Sequence, residues 1–140
     1  MIRTGEALDR ARNRYRQKHW QEGLANGRLG EDLAHRYLQR KGYRIAGRNW
    51  KTRNRRYEAD ILAWDGEWFV VVEVKTRLTD EFGNPEDAVD REKWAHLRRA
   101  AAEYIRRAEL SRDVVRFDVV SVVLKPTTRI VHYIDAFAWS

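Results

Sequence analysis

The chain has 140 residues, a length that fits one domain with a real core, and 43% of them are hydrophobic, which excludes disorder throughout. Its 28 Lys and Arg outnumber its 21 Asp and Glu, and the resulting net charge of +7 favours a polyanionic partner, nucleic acid above all. Cysteine is absent, which excludes disulfides and thiolate metal sites, and no apolar run approaches the ~20 residues that cross a bilayer. The polar start lacks the apolar core of a secretory signal, so a cytoplasmic protein without a membrane partner is expected.

Residues 1–22 are polar and basic, with Arg10, Arg12, Arg14, Arg16 and Lys18. Leu8, Ala11 and Tyr15 keep helical spacing but form a thin stripe, which predicts a basic arm or extra helix ahead of a single domain over 23–140. Gly27 to Lys41 reads as the first firm helix, with Leu29, Leu33, Ala34, Tyr37 and Leu38 on its apolar sides and Gly42 as its stop. A short strand is expected over Arg44–Asn49.

Between Arg40 and Arg56 stand eight basic residues and no acid, interleaved with Asn49, Trp50 and Asn54. A charge run is usually a solvated face. This one is pure enough to predict phosphate contact by Arg48, Lys51, Arg53, Arg55 and Arg56. Arg77 and Lys93 are further candidates for nucleic-acid binding.

Two strands follow, about Tyr57–Trp64 and Glu67–Arg77, joined by Asp65-Gly66, a strong hairpin signal. Asn84-Pro85-Glu86-Asp87 suits a helix start, and Leu97, Ala101, Tyr104, Ile105 and Ala108 supply that helix's stripe. Arg98, Arg99, Arg106 and Arg107 lie off the stripe, on an expected solvated face. Val114–Leu124 is a β-branched run suited to a strand covered on both faces, and Pro126 turns the chain into a last strand over about Arg129–Ile134. The predicted order is α-β-β-β-α-β-β: an α/β domain with a mixed sheet flanked by helices.

If Asp65 and Gly66 are the turn residues, Trp64 pairs with Glu67, Asp60 lies opposite Val71 and Glu58 opposite Glu73. Glu58, Asp60, Glu73 and Lys75 then share a face, with the Cα atoms of Asp60 and Glu73 roughly 7–8 Å apart on the diagonal. Two carboxylates so placed can converge on a divalent cation such as Mg²⁺ or Mn²⁺. The competing reading is a structural ion pair between Lys75 and Glu73 or Asp60, and the strands alone do not choose between them. Phosphodiester hydrolysis would use Asp60 and Glu73 as metal ligands, helped by the carbonyl of Val74. Lys75 would orient the attacking water and stabilise developing negative charge. Glu58 either joins this site or balances Arg55 or Arg56.

Asp118, inside the Val-rich strand, is expected to pair with Arg116 or a backbone group. His19, His35, His96 and His132 show no common ligand spacing, and Trp50, Trp64, Trp68, Trp94 and Trp139 read as packing anchors.

The succession Gly27-x-x-Gly30-Glu31, Glu58-x-Asp60, Glu73-Val74-Lys75-x-Arg77 and Arg116-Phe117-Asp118-Val119-Val120 resembles the YraN-like bacterial proteins, over roughly residue 22 to the C-terminus. That family is similar to Holliday-junction resolvases within the PD-(D/E)xK superfamily. The resemblance implies a restriction-endonuclease-like fold and Mg²⁺-dependent endonuclease chemistry on DNA, branched or damaged DNA included. Asp60, Glu73 and Lys75 match its catalytic signature and Glu31 an additional acid. Tyr57 and Ala59 stand where the family pattern has glycine and isoleucine. A resolvase-like role would imply a homodimer, because two strands are cut symmetrically. The alternative on the same fold is a non-catalytic nucleic-acid-binding or scaffold module.

Overall fold

A computed structural model describes residues 4–79 and 91–139. The elements run α1 (Thr4–Arg40), β1 (Arg44–Lys51), β2 (Glu58–Asp65), β3 (Trp68–Arg77), α2 (Arg91–Ala108), a 3₁₀ turn (Arg112–Val114), β4 (Val115–Val123) and β5 (Arg129–Phe137). This is the expected α/β order, with one five-stranded sheet in the spatial order β1-β2-β3-β4-β5. All neighbours are antiparallel except β3 and β4, which run parallel from Phe69↔Val115 to Arg77↔Val123. A parallel pair needs a crossover, and α2 belongs to it.

Each face of the sheet is covered by one helix. Ala34 and Leu38 of α1 pack on Ile61, Ala63, Val70, Val72, Val120 and Val122. Leu97, Ala100, Ala101 and Ile105 of α2 pack on Leu62, Phe69, Val71, Val115 and Phe117. Every residue of β4 is buried, as its unbroken apolar run requires. Ala100 replaces the expected Ala108, which is exposed because it lies on the last turn of α2, beyond the sheet.

The basic arm and the first helix are one element. α1 continues without a break across 37 residues, about 55 Å at 1.5 Å per residue, and its residues before Ala25 whose exposure is described are all exposed. No Pro interrupts it, and the helix-favouring Arg, Ala, Leu and Gln residues outweigh the thin apolar stripe. Leu29, expected on the apolar side, is 47% exposed. Gly42, at φ +95°, closes the helix: its N–H donates to the Gln39 carbonyl, and the Tyr43 N–H donates to that of Leu38. Gly30 is buried where α1 crosses β3, and a methyl group there would collide with the side chain of Thr76.

The hairpin turns two positions later in sum than expected. Asp65 still belongs to β2 and pairs with Trp68, so Gly66 and Glu67 form the turn. Gly66 takes φ +59°, while Glu67 is not among the positive-φ residues, the pattern of a type II′ turn with glycine leading rather than the I′ turn that Asp-Gly suggests. The register is Ile61↔Val72 and Leu62↔Val71, so Val71 lies opposite Leu62 instead of Asp60. A shift of two in the pairing sum keeps side-chain parity, so the shared face survives; a shift of one would have destroyed it. The first strand runs to Lys51 rather than Asn49. The expected helix start at Asn84–Asp87 lies outside the described residues.

Candidate active site

Asp60 comes from β2, and Glu73 and Lys75 from β3, the middle strand. Where β2 and β3 part beyond Ile61↔Val72, the Asp60 side chain replaces the backbone pairing: its Oδ2 accepts the Val74 N–H at 2.8 Å. The N–H and C=O of a strand residue point to the same neighbour, so the Val74 carbonyl also faces Asp60. Asp60 and Glu73 are within hydrogen-bonding reach of each other.

Burial, then the charge of Glu73, holds the Asp60 carboxyl well above the usual carboxylate range; the Val74 amide pulls the other way and the charge of Glu31 adds to the rise. The Asp60 carboxyl therefore favours its protonated form. Glu73, with a side chain only 5% exposed, receives the ammonium of Lys93 on Oε1 at 2.7 Å. Burial lowers the affinity of Lys75 for its proton, and the charge of Lys93 lowers it further. The two amines are within hydrogen-bond reach. For Lys93, burial also pulls downward but is outweighed by the bond to Glu73 and the charges of Glu73 and Asp60, so its affinity for its proton rises.

Asp60, Glu73 and Lys93 open onto a cleft of about 400 Å³ whose lining also includes Arg55, Arg56, Tyr57 and Glu58. Lys93 was expected only as a phosphate contact; the fold brings it into the carboxylate pair itself. No spacing in the sequence could have shown this, because the register of α2 against β3 is set by tertiary packing. Lys93 forms an ion pair with Glu73, and the competing reading had given that role to Lys75.

Glu31 does not line the cleft. Arg48 binds it at 3.3 Å and Asp32 at 2.7 Å, although the charge of Glu31 still reaches Asp60. Arg48, expected on nucleic acid, is half-buried and holds the acids of α1. Glu58 lies at the cleft and pairs with Lys51 at 3.8 Å rather than with Arg55 or Arg56. Arg53, Arg55 and Arg56 are exposed on the β1–β2 loop. That loop is fixed by the Thr52 N–H donating to the Tyr57 carbonyl, by Asn54 Oδ1 accepting from the Arg56 N–H, and by Glu103 accepting from the Arg53 N–H. Arg77 ends β3, two residues beyond Lys75, and is half-buried.

Among the described residues no cluster of three or more His, Asp or Glu has metal-holding geometry. The Asp60–Glu73 pair nevertheless fits a hard divalent cation, which commonly takes one or two carboxylates and keeps its waters. A buried carboxyl raised by its acidic neighbour, beside a carbonyl on the same edge, forms a site that a cation would relieve.

On the opposite face, Asp118 does pair with Arg116, at 2.9 Å. It also accepts from Tyr43 Oη at 3.2 Å and from the Asp135 N–H at 3.0 Å, and lies 2.7 Å from His132 Nε2. Burial pushes the Asp118 carboxyl up, but the bonds from His132 and Arg116 outweigh it and hold it down at about 2. Trp68 is 47% exposed rather than a packing anchor, because it borders the hairpin turn.

Among the described residues no helix is long and apolar enough to cross a membrane. The model of the family described as "Uncharacterised protein family UPF0102" matches residues 30–122, which hold Glu31, Asp60, Glu73, Lys75 and Lys93. A UPF0102 protein of Solibacter usitatus is 47% identical over 123 residues, covering 88% of this chain and 92% of its own. One from Rhodococcus opacus is 44% identical over 116 residues, covering 81% and 97%. A third, from Koribacter versatilis, is 40% identical over 120 residues, covering 85% and 83%. The chain belongs to the UPF0102 family.

Proposed function

We propose that this protein is a metal-dependent nuclease of the PD-(D/E)xK type that hydrolyses phosphodiester bonds in DNA. The observation that carries this reading is the approach of Asp60 to Glu73 between β2 and β3 at one cleft, with Lys75 close enough on β3 for its charge to couple to both. Asp60, Glu73 and the Val74 carbonyl would hold Mg²⁺ or Mn²⁺, which when bound neutralises charge on the scissile phosphate.

The protein's own groups do the rest. Lys75 orients the attacking water and, as an ammonium, stabilises the negative charge that develops as the new P–O bond forms, while the water's proton passes to solvent, from which the leaving oxygen takes its own. The bond to the leaving oxygen breaks in line, giving a phosphate on one side and a hydroxyl on the other. Lys93, once moved from Glu73, donates hydrogen bonds to phosphate oxygens that gain charge. Arg55 and Arg56 at the cleft rim grip neighbouring phosphates and set the strand's register. Branched or damaged DNA is the substrate class this reading favours, and cutting two strands would call for two such clefts.

A second reading, a nucleic-acid-binding or scaffold module without catalysis, draws on one observation. The exposed arginines of the β1–β2 loop are held by bonds that involve neither Asp60 nor Glu73.

The deciding experiment incubates purified protein with linear, supercoiled, single-stranded and four-way-junction DNA, in Mg²⁺, Mn²⁺ or EDTA, beside Asp60→Ala, Glu73→Ala and Lys75→Ala. Metal-dependent cleavage lost in all three variants is the expected result. Cleavage equal in the wild type and variants would identify a contaminant, and binding without cleavage of any substrate would leave the module.

A further inference from the structure

A second concave surface lies on the outer side of α2. It is a groove of about 510 Å³ whose lining includes Arg98, Arg99, Arg106, Arg112, Ile105 and Trp139 and no acidic residue. The arginines of α2 face outward because Leu97, Ala100, Ala101 and Ile105 take the inward side. Two of the arginines are set in place by the fold. Arg98 donates to the Ala138 carbonyl at 3.2 Å, and the Arg112 guanidinium lies 4.2 Å from the centre of the Trp139 ring. Trp139 is itself fixed, donating from Nε1 to the Arg112 carbonyl and packing on Phe117. A guanidinium stacked on a ring keeps its planar fork available at little further entropic cost, which suits phosphate. Glu103, the acid on the same stretch of α2, is turned to the Arg53 N–H of the β1–β2 loop.

The groove and the cleft meet at one contact. Arg99 Nη1 donates to Tyr57 Oη at 2.8 Å; Tyr57 lines the cleft and Arg99 the groove. His96 borders the cleft and Arg106 lies in the groove, ten residues and about 15 Å along the helix, or four to five base-pair steps of duplex.

We propose that this groove is a second phosphate-binding surface that holds the DNA backbone flanking the segment in the cleft, so that the bound nucleic acid runs from Arg55 and Arg56 along α2 to Arg112. Charge complementarity identifies the occupant: four arginines, an aromatic ring and no carboxylate match a polyanion. The proposal rests on the nucleic-acid part of the proposed function and not on its catalytic part.

The test measures binding of the full chain to a fluorescein-labelled DNA duplex of about 30 base pairs in EDTA, as the slope of log Kd against log salt. Arg106→Ala and Arg106→Ala/Arg112→Ala are compared with wild type and with Arg107→Ala, which removes the same charge one residue away, off the groove. The slope should shrink by about one for the single and about two for the double variant, with at least tenfold weaker binding for the double, while Arg107→Ala stays near wild type. Arg106 is exposed, so its single variant keeps the test valid if losing Arg112 over Trp139 unfolds the chain. Unchanged slopes, or an equal loss from Arg107→Ala, would overturn the groove while leaving cleavage untouched. Wild type that binds no DNA would overturn the groove and the nuclease together. Groove-dependent slopes without any cleavage in Mg²⁺ would sink only the catalytic reading.

Discussion

The ammonium of Lys93 lies 2.7 Å from Oε1 of Glu73, so the buried acid of the central strand already carries a cation supplied by the neighbouring helix. A divalent ion binding to Glu73 must displace it.

Lys93→Met should therefore have two opposite effects. Without metal the variant loses stability, because a buried carboxylate is left with less compensation. With Mn²⁺ it regains that loss, and Mn²⁺ binds roughly fivefold more tightly for an exchanged contact of about 1 kcal/mol. Thermal melts with and without Mn²⁺ check this; the same Mn²⁺-induced rise in Tm as in wild type would refute the displacement.

Asp60→Asn should stabilise the metal-free protein while abolishing cleavage, as expected where function maintains local repulsion. The sign follows from the raised carboxyl of Asp60. Its protonated form is favoured by folding, so the associated stability is complete below the ordinary carboxylate range and lost as pH rises through the higher folded-state value. Asparagine suffers no such loss. The gain should be absent near pH 3 and reach about 1 kcal/mol at neutral pH. Urea titrations across that range measure it, and a gain that shrinks with rising pH would contradict the raised carboxyl of Asp60.

Asp118 predicts the reverse. Its carboxyl is held down at about 2 in the fold, against an ordinary value of 3.8. Its contribution is present above the unfolded value and disappears as pH falls from about 4 toward 2, and amounts to about 2 kcal/mol at neutral pH. Wild type should exceed Asp118→Asn in stability at pH 7, with the gap closing in acid. A gap independent of pH would show that shape, rather than charge, matters at this position.

Gly30→Ala should cost more than an ordinary helix substitution. Alanine favours helix by up to about 1 kcal/mol, yet its methyl would enter the space of Thr76. Net destabilisation of about 1–3 kcal/mol is expected, with partial relief in Gly30→Ala/Thr76→Ala, which removes Oγ1 and Cγ2, the two Thr76 atoms nearest the added methyl. Denaturation midpoints decide it, and a more stable single variant would show that α1 moves away freely.

The facing acids were legible because parity in a hairpin is robust: an error of two in the pairing sum left Asp60 and Glu73 on one face. The turn itself was misread because Asp-Gly can precede or form the bend, and only the backbone at Gly66 distinguishes the two. Arg116 and Asp118 were legible as a pair because alternate residues of a strand share a face. Tyr43 and His132, which complete that cluster, belong to α1's exit and to β5, and no local pattern reports such distances. The same reason hid Lys93 at Glu73 and Arg48 between Glu31 and Asp32. A run of like charges looks solvated until an opposite charge from another element meets it.

The strand that carries Glu73 and Lys75 pairs with β4 along its length from Phe69 to Arg77, and with β2 as far as Val72. Backbone amides there exchange with deuterium only when the sheet itself opens, whereas the exposed first half of α1 frays readily. The acid and its amine consequently ride on a strand that β4 holds at both their positions. Heating that melts the outer helix leaves their spacing intact until the sheet itself gives way.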